Sequence, residues 1–124
     1  MTQPLALVFY EKLMPGSQLV NRLQDLQYRV QTVNDLASFQ ECAQTEGPLV
    51  AFMDLESATS NVCEAIASLK NDPKTQHIPV IAFAGERAAE RQVAAQKAGA
   101  VLTASDTALL NHLQEFLDRA LQLG

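Results

Sequence analysis

The chain has 124 residues, 48% apolar and 19% charged, with nine Lys and Arg against fourteen Asp and Glu for a net charge of -5. That length suits one domain, expected over residues 1–124, with enough chain to bury a core. The acidic balance and the lack of any basic cluster exclude nucleic acid and anionic membranes as electrostatic partners, and the apolar fraction excludes a disordered chain.

Leu5-Ala6-Leu7-Val8-Phe9 is a continuous apolar run, too short for a helix and suited to a buried strand. Pro15-Gly16-Ser17 reads as a break. Leu19, Val20, Leu23 and Leu26 then recur at helical spacing, predicting a first helix over about 17–27. Tyr28 to Val33 alternates in character and carries β-branched residues, as a half-exposed edge strand does. Asn34 or Asp35 can cap a second helix whose apolar face is Leu36, Phe39 and Ala43. Gly47 fits just past its end, where a left-handed residue is often needed.

Leu49-Val50-Ala51-Phe52-Met53 is a second solid strand, ending at Asp54. After a polar loop, Val62, Ala65, Ile66 and Leu69 predict a third helix, with Asn61 and Glu64 at capping-box spacing. Pro79 to Ala84 is another buried strand, with Pro tolerated at its start. Ala88, Ala89, Val93 and Ala98 predict the apolar face of a fourth helix closed by Gly99. Ala100 to Thr103 reads as a short strand. Leu109, Leu110, Leu113, Phe116, Leu117, Ala120 and Leu121 read as one last helix.

Strict alternation of strand and helix predicts an α/β fold of three layers, a five-stranded parallel sheet between helices. The solidly apolar strands belong at the centre, and the alternating second and short fifth belong at the edges. This fits the doubly wound order 2-1-3-4-5. A dinucleotide-binding order would need a glycine-rich turn after the first strand, and Phe9-Tyr10-Glu11-Lys12 is not one.

In such a sheet ligands bind past the carboxyl ends of the strands, at the switch point between strands one and three. Tyr10, Glu11, Asp54 and Glu56 fall there, flanked by Ala84 and Gly85 and by Ala104 and Ser105. Glu11 and Asp54 are two carboxylates that either hold a Mg²⁺ weakly or simply sit solvated at loop starts.

Cys42 and Cys63 lack the spacing of a metal or redox site and are expected as buried free thiols in a reducing compartment. His77 is expected at the end opposite the cleft, and His112 on the polar side of the last helix. No apolar run reaches the ~18–20 residues of a membrane span, and Met1 to Pro4 carries no basic leader, so the chain is expected in the cytoplasm.

The segments Pro48 to Leu55, Asn71-Asp72-Pro73 with His77 to Phe83, and Ala98-Gly99-Ala100 together resemble the receiver domain of two-component response regulators. The resemblance covers nearly the whole chain and implies a flavodoxin-like fold. It implies that Asp54 is the phospho-acceptor and that Tyr10 and Glu11 stand where receivers carry a Mg²⁺-binding acidic pair. The switch hydroxyl position falls on Ala84, and the lysine position on Ala104 or Ser105. The pocket is thus degenerate at Tyr10, Ala84, Ala104 and Ser105. Tyr10 either fills the space of the missing acid or donates its hydroxyl to Asp54.

Phosphoryl transfer to a carboxylate needs cations around the oxygens, and the switch needs a hydroxyl that follows the phosphoryl group. The leading expectation is a pseudo-receiver, not an enzyme, that acts by protein–protein interaction without phosphorylation and stands alone without an output domain. Its partner would be a sensor kinase or a downstream signalling protein. One alternative is a true phosphorelay receiver on Asp54; another is an unrelated small-molecule binder on the same fold. The resemblance places the partner or homodimer surface on the fourth helix, fifth strand and fifth helix, where Ala88, Val93 and Leu110 lie.

Overall fold

A parallel sheet organises the chain in the computed structural model, which describes residues 4–10, 13–33, 35–55, 62–85 and 89–123. The strands are β1 (Leu5–Phe9), β2 (Arg29–Val33), β3 (Val50–Asp54), β4 (Val80–Ala84) and β5 (Leu102–Ser105). The helices are α1 (Leu13–Asp25), α2 (Leu36–Glu46), α3 (Val62–Asn71), α4 (Ala89–Ala98), α5 (Asp106–Asn111) and α6 (Leu113–Leu123). The strand order is β2-β1-β3-β4-β5, all pairs parallel, as the strand characters predict.

The solid apolar runs are central because both their faces are covered. Every residue of β3 and β4 is buried, whereas β2 exposes Arg29, Gln31 and Thr32 at one edge. Alternate residues feed two cores. Leu7, Phe9, Ala51, Met53, Ala82 and Ala84 pack with Phe39 of α2 and with Ile66 and Leu69 of α3. Val8, Phe52, Ile81, Phe83 and Ala104 pack with Leu19 and Leu23 of α1 and with Leu109, Leu113 and Leu117 of α5 and α6.

Local chemistry sets the ends of elements. Asp35 caps α2, its carboxylate accepting from the Ser38 N–H at 2.7 Å and the Ser38 hydroxyl at 3.0 Å. Gly47 ends α2 in the left-handed conformation, φ 57°, as expected. Gly99 ends α4 at φ 127°, where a Cβ would meet Lys70 Cγ at 2.6 Å. The alternative cap Asn34, and Asn61 before α3, lie outside the described residues.

Five expectations need correction. Helix α1 begins at Leu13, not 17, and so takes in Pro15 and Gly16. Proline fits there because the first turn of a helix has no use for its missing N–H. Strand β5 runs over Leu102–Ser105, two residues later than expected, because Ala100 stays buried in the loop and Val101 N–H reaches the Val80 carbonyl at 2.9 Å. The last helix is two. His112 leaves helical geometry at φ −127°, ψ 32°, and both pieces still turn leucines into one core. On α4 the fully buried residue is Ala95, Ala98 is half-buried against the same core as expected, and Val93 is 52% exposed rather than on the packed face. Cys42 and Cys63 are free thiols but only half-buried, packed against the edge of one core.

Candidate functional site

The carboxyl ends of the strands bring Tyr10, Asp54, Ala84, Ala104 and Ser105 to one rim of the sheet. Asp54 is the last residue of β3 and only 2% exposed. A carboxylate at this depth stands out in a strand that is otherwise wholly apolar. Register defines its neighbours. Carrying the β1–β3 pairing one step past Phe9 and Met53 sets Tyr10 beside Asp54. On the other side Asp54 pairs with Phe83, and Phe83 with Ala104. Ala84 and Ser105 form the next row out, with Leu55, whose N–H donates to the Phe83 carbonyl at 2.8 Å.

Each of these positions has a packing role. Tyr10 is half-buried against the α1 and α6 side of the core. Ala104 is buried in that same core, and Ala84 in the opposite one. Ser105 turns its hydroxyl to the start of α5, accepting from the Ala108 N–H at 3.1 Å. Ala104 is thus taken up by core packing and Ser105 by a helix cap. Glu11, Glu56 and the rest of the loop after Asp54 lie outside the described residues, and so does Ala88.

Sequence reasoning missed Arg91. It sits in the first turns of α4, and its Nη1 donates to the Leu55 carbonyl at 2.8 Å, across 36 residues of chain. A cation therefore stands at the rim, next to the residue that follows Asp54. The signal was there in outline. A positive charge near a helix amino terminus opposes the helix dipole. The topology also delivers the start of α4 to the same sheet end as Asp54. Arg91 instead reads, by composition, as part of a solvated face.

Receivers use Mg²⁺, so the donor set bears on the fit. Asp54 is the one carboxylate on the three central strands among the described residues. Asp35 and Asp106 follow the edge strands β2 and β5. Among the described residues no three His, Cys, Asp or Glu side chains gather as metal ligands. A hard dication takes six or more oxygens, several of them charged. Asp54 supplies one such carboxylate, and Glu11, the other candidate ligand, lies outside the described residues.

Asp35 follows the edge strand β2, and the other groups with shifted pKa lie away from this rim. Hydrogen bonds from the Ser38 N–H and hydroxyl hold the Asp35 carboxyl below the usual aspartate range. The Lys74 N–H and the Gln44 amide, at 2.9 and 2.7 Å, do the same for Asp72. Burial pushes Lys70 down, its ammonium donating to the Ile78 carbonyl at 2.9 Å. His77 lines a cleft of about 470 Å³ at the amino ends of the strands, opposite Asp54 as expected. His112 is exposed at the α5–α6 junction, 3.8 Å from Glu115.

No family model matches the chain, and no curated protein matches it. Solved structures do. The chemotaxis response regulator CheY4 of Vibrio cholerae aligns over 92% of this chain and 98% of its own, with 19% identity and a TM-score of 0.77. A CheY-like response regulator receiver domain protein from Methanospirillum hungatei covers 99% of this chain and 100% of its own, at 16% identity and a TM-score of 0.79. The signal receiver domain of a signal transduction histidine kinase from Syntrophus aciditrophicus aligns over 96% and 90%, at 17% identity and a TM-score of 0.83. The fold is thus that of CheY-like response regulator receiver domains, flavodoxin-like with sheet order 2-1-3-4-5. Among the described residues no helix is long and apolar enough to cross a membrane.

Proposed function

We propose that this chain is a receiver-like signalling module of the cytoplasm that acts by binding other proteins, with phosphorylation lost and no catalysis of its own. The observation that carries this reading is the row across the sheet at Asp54. Its β4 neighbour is the buried ring of Phe83, followed by Ala104, and the row beyond offers Ala84 and a Ser105 already engaged as a cap. A phosphoryl group on Asp54 would meet neither a switch hydroxyl on β4 nor an ammonium on β5. The fold would then persist for its surface.

The partner is a sensor kinase or a downstream signalling protein, and its surface is α4, β5 and α5. Val93 of α4 is exposed, and Leu102 of β5 and Leu110 of α5 are half-buried. A homodimer through this face would be isologous. An apolar residue displayed on a helix next to an edge strand is an anchor for either association.

The test is an NMR titration of the chain with Mg²⁺ and then beryllofluoride, which mimics a phosphoryl group on an aspartate. Amide shifts around Asp54 are expected to stay unchanged at millimolar concentrations. Saturable shifts spreading from Asp54 into α4 would overturn this reading. They would establish the second one, a phosphorelay receiver on Asp54. The cation that favours that second reading is Arg91.

A further inference from the structure

The attachments of α4 are few and unevenly placed. Of its described side chains Ala95 alone is fully buried, with Gln92 and Ala98 half-buried. An alanine face buries little apolar area, so packing alone holds this helix weakly. Two specific contacts make up the difference. At the carboxyl end, Gly99 lies so close to the Lys70 stem that no Cβ fits, and Lys70 is itself fixed by the Ile78 carbonyl. At the amino end the specific contact is the Arg91 bond to the Leu55 carbonyl. Leu55 is buried and locked to β4 through the Phe83 carbonyl, so its oxygen is a fixed anchor.

We propose that Arg91 is a positioning residue, a clasp that holds the amino-terminal half of α4 against the end of β3 and makes that half respond to the charge on Asp54. Leu55 directly follows Asp54, so covalent geometry keeps the guanidinium within on the order of 10 Å of that carboxylate. Asp54 is nearly excluded from solvent while Arg91 is exposed, so their attraction is screened in part, less than that of two surface charges. A carboxylate there strengthens the hold on Arg91, and a neutral or altered side chain weakens it. Because Lys70 and Gly99 pin the other end, the response is a local loosening of residues 90–94, which include exposed Val93. The clasp occupies the functional place that Ala84 leaves empty, since it links the end of β3 to a helix without a hydroxyl. It goes beyond the reading above and requires neither a phosphoryl group nor a known partner.

The experiment is amide NMR and hydrogen exchange on the full chain with Asp54→Asn, Arg91→Met and Arg91→Lys, singly and combined. Met keeps the apolar stem and removes the charge and the donors; Lys keeps the charge and a donor. Asp54→Asn is expected to shift the amides of residues 90–94 in the otherwise unaltered chain. The shift should vanish in the Arg91→Met background and return with Arg91→Lys. Arg91→Met by itself should speed exchange over 90–94 about tenfold and leave β3 and β4 unchanged, the size of losing one charge-assisted bond. Three results would each overturn the proposal: equal shifts from Asp54→Asn with Arg91 or Met, no shift in the otherwise unaltered chain, or unchanged exchange in Arg91→Met.

Discussion

Asp35 shows how one side chain sets a local boundary and a pH response together. Its two bonds to Ser38 favour the ionised carboxylate and depress its pKa. A depressed acid adds stability above its unfolded pKa and loses that contribution as the pH falls through its folded pKa. Asp35→Ala is therefore expected to lower the urea midpoint at neutral pH, with the gap closing below the ordinary aspartate value of 3.8. Urea titrations at pH 7 and pH 3 check this, and a gap of equal size at both would contradict it. At this scale the sequence was a good guide where chemistry is local. A carboxylate ending an apolar run identified Asp54, and cap chemistry identified Asp35. Arg91 was not legible, because its partner lies 36 residues away and no local pattern names a backbone carbonyl.

Elements were legible in type and order, and less so in their ends. Pro15 reads as a breaker in sequence, yet a helix start tolerates it. Ala100 reads as strand, yet it is the apolar residue of a loop buried under α3 and α4. The face of α4 was misread because alanines at helical spacing are too similar in size to reveal which of them is covered. The junction of α3 and α4 gives a test at this scale. Gly99→Ala brings a methyl against Lys70 and forces φ 127° on a residue with a Cβ. The expected loss is about 1–3 kcal/mol by denaturant titration. Adding Lys70→Ala should recover the steric share and leave the backbone share. No loss from Gly99→Ala would mean that α4 ends differently in solution.

Over the whole molecule, strand character separated centre from edge, since apolar runs need cover on both faces and alternating ones do not, and the alternation of strand and helix supplied the doubly wound order. The two cores are not equally built. Phe9 and Phe39 meet edge to face, ring centroids 6.3 Å apart at 81°, and tie β1 to α2. Phe39→Ala is expected to cost about 3–5 kcal/mol, against less than about 0.5 for Val93→Ala. Thermal or denaturant unfolding of the two variants measures the contrast, and similar losses would mean that Val93 is covered in solution.

The other core joins the two ends of the chain. Leu19 and Leu23 of α1 share one apolar layer with Leu113, Leu117 and Ala120 of α6. A ribosome makes these partners in the order in which they are written. Four strands and four helices can form while that side of the sheet, carrying Val8, Phe52 and Phe83, still lacks its last cover. The nascent chain thus carries an open greasy face until residues 101–123 emerge, roughly the time in which chaperones and proteases make their choice. Frameshifts and stop codons that fall between Ser105 and α6 should therefore be as damaging here as lesions in the central strands, although they spare the Asp54 rim up to Ser105.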